Sequence, residues 1–153
     1  MHDYVRSVHE GAQYKYEPDL ALLAEIDHEI VGHIMSTNTY INTPKGKVGN
    51  VLHLAPLAVL LNMRKQGIGR QLMNASIEAA RAKGYRAIFL AGNPVYYSRL
   101  GYVPSYKHNI YYAEAEQLAK EVGTSSEHIK ECIMVYELFP DALKGIEGNI
   151  VLL

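Results

Sequence analysis

With 153 residues the chain has the length of one domain, enough to bury about two thirds of the surface that its unfolded form exposes. A formal net charge of -1 and a pI near 6.6 give no electrostatic reason to expect a nucleic-acid partner. One cysteine, Cys132, leaves no internal disulfide framework; with no charged-then-apolar leader and no apolar run of about 18 residues, the expectation is a cytoplasmic protein away from membranes.

Residues 2–13, polar with Tyr4, Val5 and Val8 as apolar punctuation, read as a short amphipathic helix stopped by Gly11. The apolar run in residues 19–27 predicts a strand. After a turn at Asp27-His28-Glu29, residues 30–41 make a second strand rich in β-branched residues, so the pair reads as a hairpin. A turn over 42–47 leads to a third strand, residues 48–61, interrupted at Ala55-Pro56. Proline cannot donate to a ladder, so a bulge or a loss of pairing is expected there. A helical period begins at Ile68 and repeats at Leu72, Ala75 and Ala79, giving a helix from about Gly67 to Lys83 with Gly84 as its cap. Residues 85–91 read as a buried strand, and the strand-helix-strand order implies parallel neighbours. Asn93 is a suitable N-cap and Pro94 a suitable first residue for a short helix over 94–100 that Gly101 ends. Residues 102–112 look extended, 113–121 helical, and the stretch after Gly123 a solvated loop. Residues 132–139 form a last apolar strand with Cys132 in its core, Pro140 stops it, and a glycine-bearing tail closes the chain.

The chemistry concentrates in Leu57-Ala58-Val59-Leu60-Leu61-Asn62-Met63-Arg64-Lys65-Gln66-Gly67-Ile68-Gly69-Arg70. An apolar strand runs into a basic turn with two glycines and then into a helix. Glycine lets the backbone approach a ligand closely, and the first N–H groups of a helix point out of its positive end. Arg64, Lys65 and Arg70 add charge at the same point, so a phosphate or pyrophosphate is the natural guest. A P-loop needs four residues between its glycines and a Lys-Ser/Thr after the second, which this loop lacks; a dinucleotide fingerprint would need its third glycine where Leu72 stands. The plain alternative is a glycine turn that merely joins strand to helix.

The pattern Arg/Gln-x-x-Gly-x-Gly/Ala after a strand resembles the pyrophosphate loop of the GNAT superfamily of N-acetyltransferases, and Arg64-Lys65-Gln66-Gly67-Ile68-Gly69 matches every fixed position. Tyr97, Gly101 and Tyr102 within Asn93-Pro94-Val95-Tyr96-Tyr97-Ser98-Arg99-Leu100-Gly101-Tyr102 resemble a second signature of that family. The likeness spans residues 19–139, includes Gly32-His33-Ile34, and near the C-terminus is similar to a small bacterial subgroup. It implies a mixed α/β (α+β), mostly antiparallel sheet flanked by helices, with a central parallel strand pair that diverges at the cofactor cleft. It also implies a single acetyltransferase-like domain over 1–153, N-terminally short because the usual first strand and helix are missing.

For the site, the resemblance implies acetyl-coenzyme A as the cosubstrate, its pyrophosphate on the N–H groups of Lys65 to Arg70 and its pantetheine beside Leu57, Ala58 and Val59. By the same likeness Asn93 holds a pantetheine amide, and a strand N–H near Ala58 or Val59 stabilises the oxyanion. Tyr97 is the implied general acid: a phenol of pKa about 10 can serve an alkyl thiolate whose conjugate acid has pKa about 8.5 once water is excluded. The acceptor amine, with a pKa of about 10.4 if lysine-like, needs a base, for which His53 is the candidate and His33 the alternative. No metal is expected, since histidines and cysteine lack ligand spacing. The partners implied are a small-molecule or protein amine and a homodimer, with no nucleic acid and no membrane. A coenzyme A-binding or regulatory module without turnover is the competing reading.

Overall fold

Two successive residues with positive φ, Asp27 at 49° and His28 at 68°, make the tight turn that sets the first hairpin. Such a turn matches the right-handed twist of the strands it joins. The computed structural model describes residues 4–7 and 16–152, which divide into two compact units. The first comprises the chain up to Asn38 together with Leu54–Gly84; the second comprises Thr39–His53 and the chain from Tyr85 onward.

The first unit holds β1 (Tyr4–Ser7), β2 (Tyr16–Ile26), the opening part of β3 (Glu29–Thr43), the end of β4 (Gly46–Val59) and the helix α1 (Ile68–Ala82). β1 pairs antiparallel with β2, from Tyr4 opposite Glu25 to Ser7 opposite Leu22, and β2 pairs antiparallel with β3. The helix expected over 2–13 is therefore corrected to a strand over residues 4–7; the rest of that stretch lies outside the described residues. The physical reason is competition. A helix of about a dozen residues is marginal by itself, whereas the open edge of β2 offers a row of ladder partners.

α1 buries Ile68, Leu72, Met73, Ser76, Ile77 and Ala80, a stripe at helical spacing, and packs this face on β2. Its first turn comes close to β3 at Gly32. A Cβ there would stand 3.0 Å from Leu72 Cδ1, 3.3 Å from Ile68 Cγ2 and 3.2 Å from the Ala58 carbonyl oxygen. The missing side chain thus sets how near the start of the helix lies to the strand beneath it.

The second unit continues β3 and begins β4, and adds β5 (Ala87–Ala91), α2 (Pro94–Ser98), β6 (Val103–Pro104) and β7 (Ile110–Tyr111). Beyond them along the chain lie α3 (Ala115–Val122), α4 (Ser126–Cys132), β8 (Ile133–Glu137) and β9 (Gly148–Ile150). Strand order in this unit is β3-β4-β5-β8-β6, with β9 beside β3 and β7 beside β9. β4 and β5 are parallel, as the strand-helix-strand order required, from Val51 opposite Ala87 to His53 opposite Phe89. That register ends two residues before Ala55, consistent with the expected loss of pairing, although β4 itself continues to Val59. Ile41, Val51, Phe89, Ile110, Val135 and Ile150 anchor the core of this unit.

Four local expectations are corrected here. Ser105–His108 is a 3-10 turn instead of extended chain, capped by Asn109 in the left-handed region. The stretch after Gly123 is largely helical, because the Ser125 hydroxyl caps α4 by accepting the His128 N–H at 3.1 Å and Ile129 is buried beneath it. Cys132 consequently ends α4, half-buried, with its thiol 3.5 Å from His128 Nε2, and is not a strand-core residue. The glycine-bearing tail supplies β9, which joins the sheet. No helix among the described residues is long and apolar enough to cross a membrane.

Replacing Gly32 by valine forces the first turn of α1 off β3. The expected loss is about 1–3 kcal/mol of unfolding free energy, as for other overpacked sites, read from a urea transition. An unchanged midpoint would show that this contact does not set the helix position.

Candidate functional site

In the first unit the end of β4 is held to β3 by the Leu60 N–H donating to the Val31 carbonyl at 2.8 Å. A 3-10 turn over Leu61–Met63 comes next, and the Arg64 guanidinium bends back to donate through Nε to the Val59 carbonyl at 3.2 Å. The chain then enters the left-handed region twice, at Lys65 (φ 64°) and Gly67 (φ 83°). Glycine adopts that conformation freely and lysine does not, so the turn is tight and partly strained. Gly67 is the N-cap of α1 and offers no side-chain oxygen, no acidic residue lies in the first turn, and a Cβ at Gly67 would meet nothing within 4 Å. The first hydrogen bond of the helix is the Gln71 N–H to the Gly67 carbonyl at 3.0 Å. The N–H groups of Ile68, Gly69 and Arg70 thus precede the helical ladder at its positive end. Arg64, Lys65, Gln66 and Arg70 are exposed around them, whereas the Ile68 side chain is buried in the core and has only its N–H to offer. Leu57 and Val59 are half-buried and Ala58 exposed on the strand before the turn.

In the second unit Asn93 caps α2, its side-chain oxygen accepting the Val95 N–H at 2.9 Å, with Pro94 in the first turn. Tyr97 donates its N–H to the Asn93 carbonyl at 3.1 Å, and its own carbonyl accepts from Leu100 and Tyr102. The Tyr97 ring lies over Gly92, where a Cβ would come within 2.9 Å of Tyr97 Cδ2. Gly92 itself is fixed by donating its N–H to the Cys132 carbonyl at 3.0 Å. Tyr96 meets the Tyr97 ring edge-on at 4.8 Å, and the Tyr102 ring stands 6.0 Å away on another side. Burial, reinforced by Tyr96, pushes the Tyr97 phenol above its ordinary value, so it is a proton donor throughout the neutral range. Among the described residues none holds the Tyr97 hydroxyl. Sequence reasoning missed Gly92; its place directly after the apolar strand was the available signal.

His53 also belongs to the second unit, on β4 opposite Phe89 and 8% exposed. Burial pushes its imidazole below the usual range, which leaves it neutral at pH 7. His33, half-buried on β3 opposite Leu23, sits in the first unit. The anticipated site residues therefore divide, with 57–59 and 64–70 in the first unit and His53, Asn93 and Tyr97 in the second. Among the described residues no group of three or more His, Cys, Asp or Glu side chains could hold a metal ion.

A model of the acetyltransferase (GNAT) family matches residues 2–102, about two thirds of the chain and including the glycine loop, α2 and Tyr102. The chain belongs to that family. The match begins well before residue 19, so the N-terminal stretch is part of the likeness. Among its relatives in this GNAT family, the uncharacterized N-acetyltransferase YjhQ of Escherichia coli is 38% identical over 89 residues, which are 57% of this chain and 48% of YjhQ. YhbS, also of Escherichia coli, is 28% identical over 132 residues, covering 86% of this chain and 70% of that relative. The chain thus spans about half the length of the first and more of the second. Solved GNAT structures agree in fold. That of Escherichia coli YhbS in complex with CoA aligns with TM-score 0.71 and 25% identity over 85% of this chain and 64% of that one. That of a Brucella melitensis GNAT enzyme in complex with acetyl-CoA aligns with TM-score 0.65 and 18% identity over 99% and 96%. The mixed sheet, with its parallel β4–β5 pair and flanking helices, is the GNAT fold.

Gly92→Ala is expected to push the Tyr97 ring out toward solvent, and its phenol then titrates back toward about 10. Tyrosine ring-carbon NMR over an alkaline pH series reads this directly; an unmoved Tyr97 titration would mean that other contacts hold the ring. Tyr102, 1% exposed, buries a hydroxyl that has no partner among the described residues. Tyr102→Phe should therefore leave stability unchanged or raise it by up to about 1 kcal/mol in denaturant titration, since a buried unpaired hydroxyl costs free energy.

Proposed function

We propose that this GNAT-family protein transfers an acetyl group from acetyl-coenzyme A to a primary amine of a small molecule or protein, by direct attack and without an acyl-enzyme. The observation that carries the reading is the opening of α1: a left-handed glycine N-cap without a capping side chain, free first-turn amides, and basic residues around them. Such an end suits a diphosphate. Support comes also from the CoA and acetyl-CoA held by the solved Escherichia coli and Brucella melitensis relatives. In this reading the amides of Lys65 to Arg70 grip the pyrophosphate, and Arg64, already tied to Val59, adds charge at a fixed point. The backbone of Leu57, Ala58 and Val59 bonds the pantetheine arm, an N–H of Ala58 or Val59 stabilising the oxyanion. The side-chain oxygen of Asn93 is spent on the cap, so its NH2 remains as the donor to a pantetheine carbonyl.

The acceptor nitrogen bonds the carbonyl carbon as the carbon–sulfur bond breaks. Tyr97 gives its phenolic proton to the departing sulfur, and the amine proton passes to His53, directly or through water. A neutral imidazole is the state that a base requires, and the neutral phenol is the state that an acid requires. The reading extends to a cytoplasmic protein acting as one acetyltransferase domain and forming a homodimer.

Thiol release over an amine panel, run beside calorimetry with acetyl-coenzyme A, tests the proposal; binding with no release for any amine would favour a coenzyme A-binding module instead. Gly67→Val is expected to abolish cofactor binding. Tyr97→Phe is expected to lower kcat by about a hundredfold or more, the usual worth of a general acid, with binding retained. The pH profile has a definite sign. His53 with a lowered pKa keeps its base form down to below about 6.5, so activity falls only in more acid solution, and the raised Tyr97 pKa puts the alkaline fall above about 10. His53→Gln should remove the acid limb and Tyr97→Phe the alkaline one; limbs that persist unshifted would take these residues out of their roles.

A further inference from the structure

The second unit carries a cavity of about 280 Å³ that no part of the acyl-transfer reading uses. Tyr106 of the 3-10 turn, Tyr111 of β7 and the adjoining Tyr112 wall it, together with Glu116 of α3 and Glu127 and Lys130 of α4. Two of the three tyrosine walls are tied by hydrogen bonds from their hydroxyls. Tyr106 donates to Glu131 at 2.8 Å and Tyr112 to Glu114 at 3.3 Å, while Glu121 accepts from Gln117 at 3.2 Å. Those three neighbouring carboxylates are committed.

The charged groups that line the cavity are not. Among the described residues, neither Glu116, Glu127 nor Lys130 forms an ion pair or a hydrogen bond with another side chain. Lys130 sits over two aromatic faces, its Nζ 5.3 Å from the Tyr106 ring centroid and 5.6 Å from that of Tyr111. Cation–π attraction places the ammonium but leaves its three N–H donors unspent. One cavity with aromatic walls thus presents two exposed carboxylates that lack a cation, and one half-buried ammonium that lacks an anion, among the described residues.

We infer that this cavity binds a small zwitterion of amino-acid size, with its ammonium group set against Glu116 and Glu127, its carboxylate on Lys130 and its hydrocarbon against the tyrosine rings. A ligand with only one charge would leave the opposite group of the cavity unanswered. The volume, close to the lower end of known ligand pockets at about 300 Å³, limits the guest to a small molecule. The inference does not depend on acyl transfer, and it holds whether or not the protein turns over acetyl-coenzyme A.

An NMR titration of the full chain, without coenzyme A, tests it. The probes are L-valine and its isomer 5-aminopentanoate, which differ in charge separation, with pentylamine and pentanoate as matched chains bearing one charge each. At least one zwitterion is expected to bind saturably, shifting the Tyr106, Tyr111 and Tyr112 rings, and to bind about tenfold more tightly than either singly charged compound, as a lost charge-assisted contact implies. Lys130→Gln should reduce that zwitterion to the affinity of pentylamine while leaving pentylamine no weaker, and Glu127→Gln should weaken the zwitterion and pentylamine but not pentanoate. Zwitterions that bind no better than pentylamine and pentanoate, shifts elsewhere than at the three rings, or a Lys130→Gln variant that weakens every probe alike, would overturn the inference.

Discussion

The close approach of α1 to β3 at Gly32 is the constraint on which the first unit turns. Because no side chain intervenes, Ile68 and Leu72 seat directly on the strand, and the helix begins immediately after the turn that leaves β4. The left-handed conformation at Gly67 completes the arrangement, since it lets the chain reverse within a few residues and start helical without a capping side chain. A serine or aspartate at that position would have satisfied one of the first amides and stabilised the helix. The sequence instead leaves them without a capping side chain beside Arg64 and Lys65, an end that suits the diphosphate of the proposed reading. Helix packing and the proposed diphosphate site therefore share one turn of α1.

The second unit uses absent bulk in the same way. Gly92 makes room for the Tyr97 ring, and Tyr96 and Tyr102 enclose it, so one phenol is half-buried, electrically neutral and aimed by its neighbours. Burial acts in opposite directions on the two proton-carrying groups of the unit. It disfavours phenolate at Tyr97 and imidazolium at His53, and the proposed acyl transfer requires the uncharged form of each. Low local polarity thus keeps both groups uncharged at neutral pH.

The fold was legible wherever a segment announced its own structure. The hairpin of β2 and β3, the long helix between two glycines, the parallel strand after it and the Asn93-Pro94 helix start all depend on neighbours within a few residues. Misreadings fall where partners are distant or the cue is a single residue. β1 is a strand only because β2 offers it an edge, β9 only because β3 and β7 flank it, and α4 rests on Ser125 as a cap and one buried isoleucine. Cys132 went astray with α4, since moving a helix end by a few residues moves a side chain from the core to the surface.

The amino-acid sequence by itself determined the family and the glycine loop that opens α1. Both rest on glycine and arginine spacing along a continuous segment, and the backbone conformation of such a segment is set locally. Tertiary structure alone decided that Gly32 and Gly92 matter, that His53 and Tyr97 are held uncharged, and that Glu116, Glu127 and Lys130 share one aromatic cavity. Those properties are distances and desolvation between residues far apart in the chain, and no linear spacing encodes them.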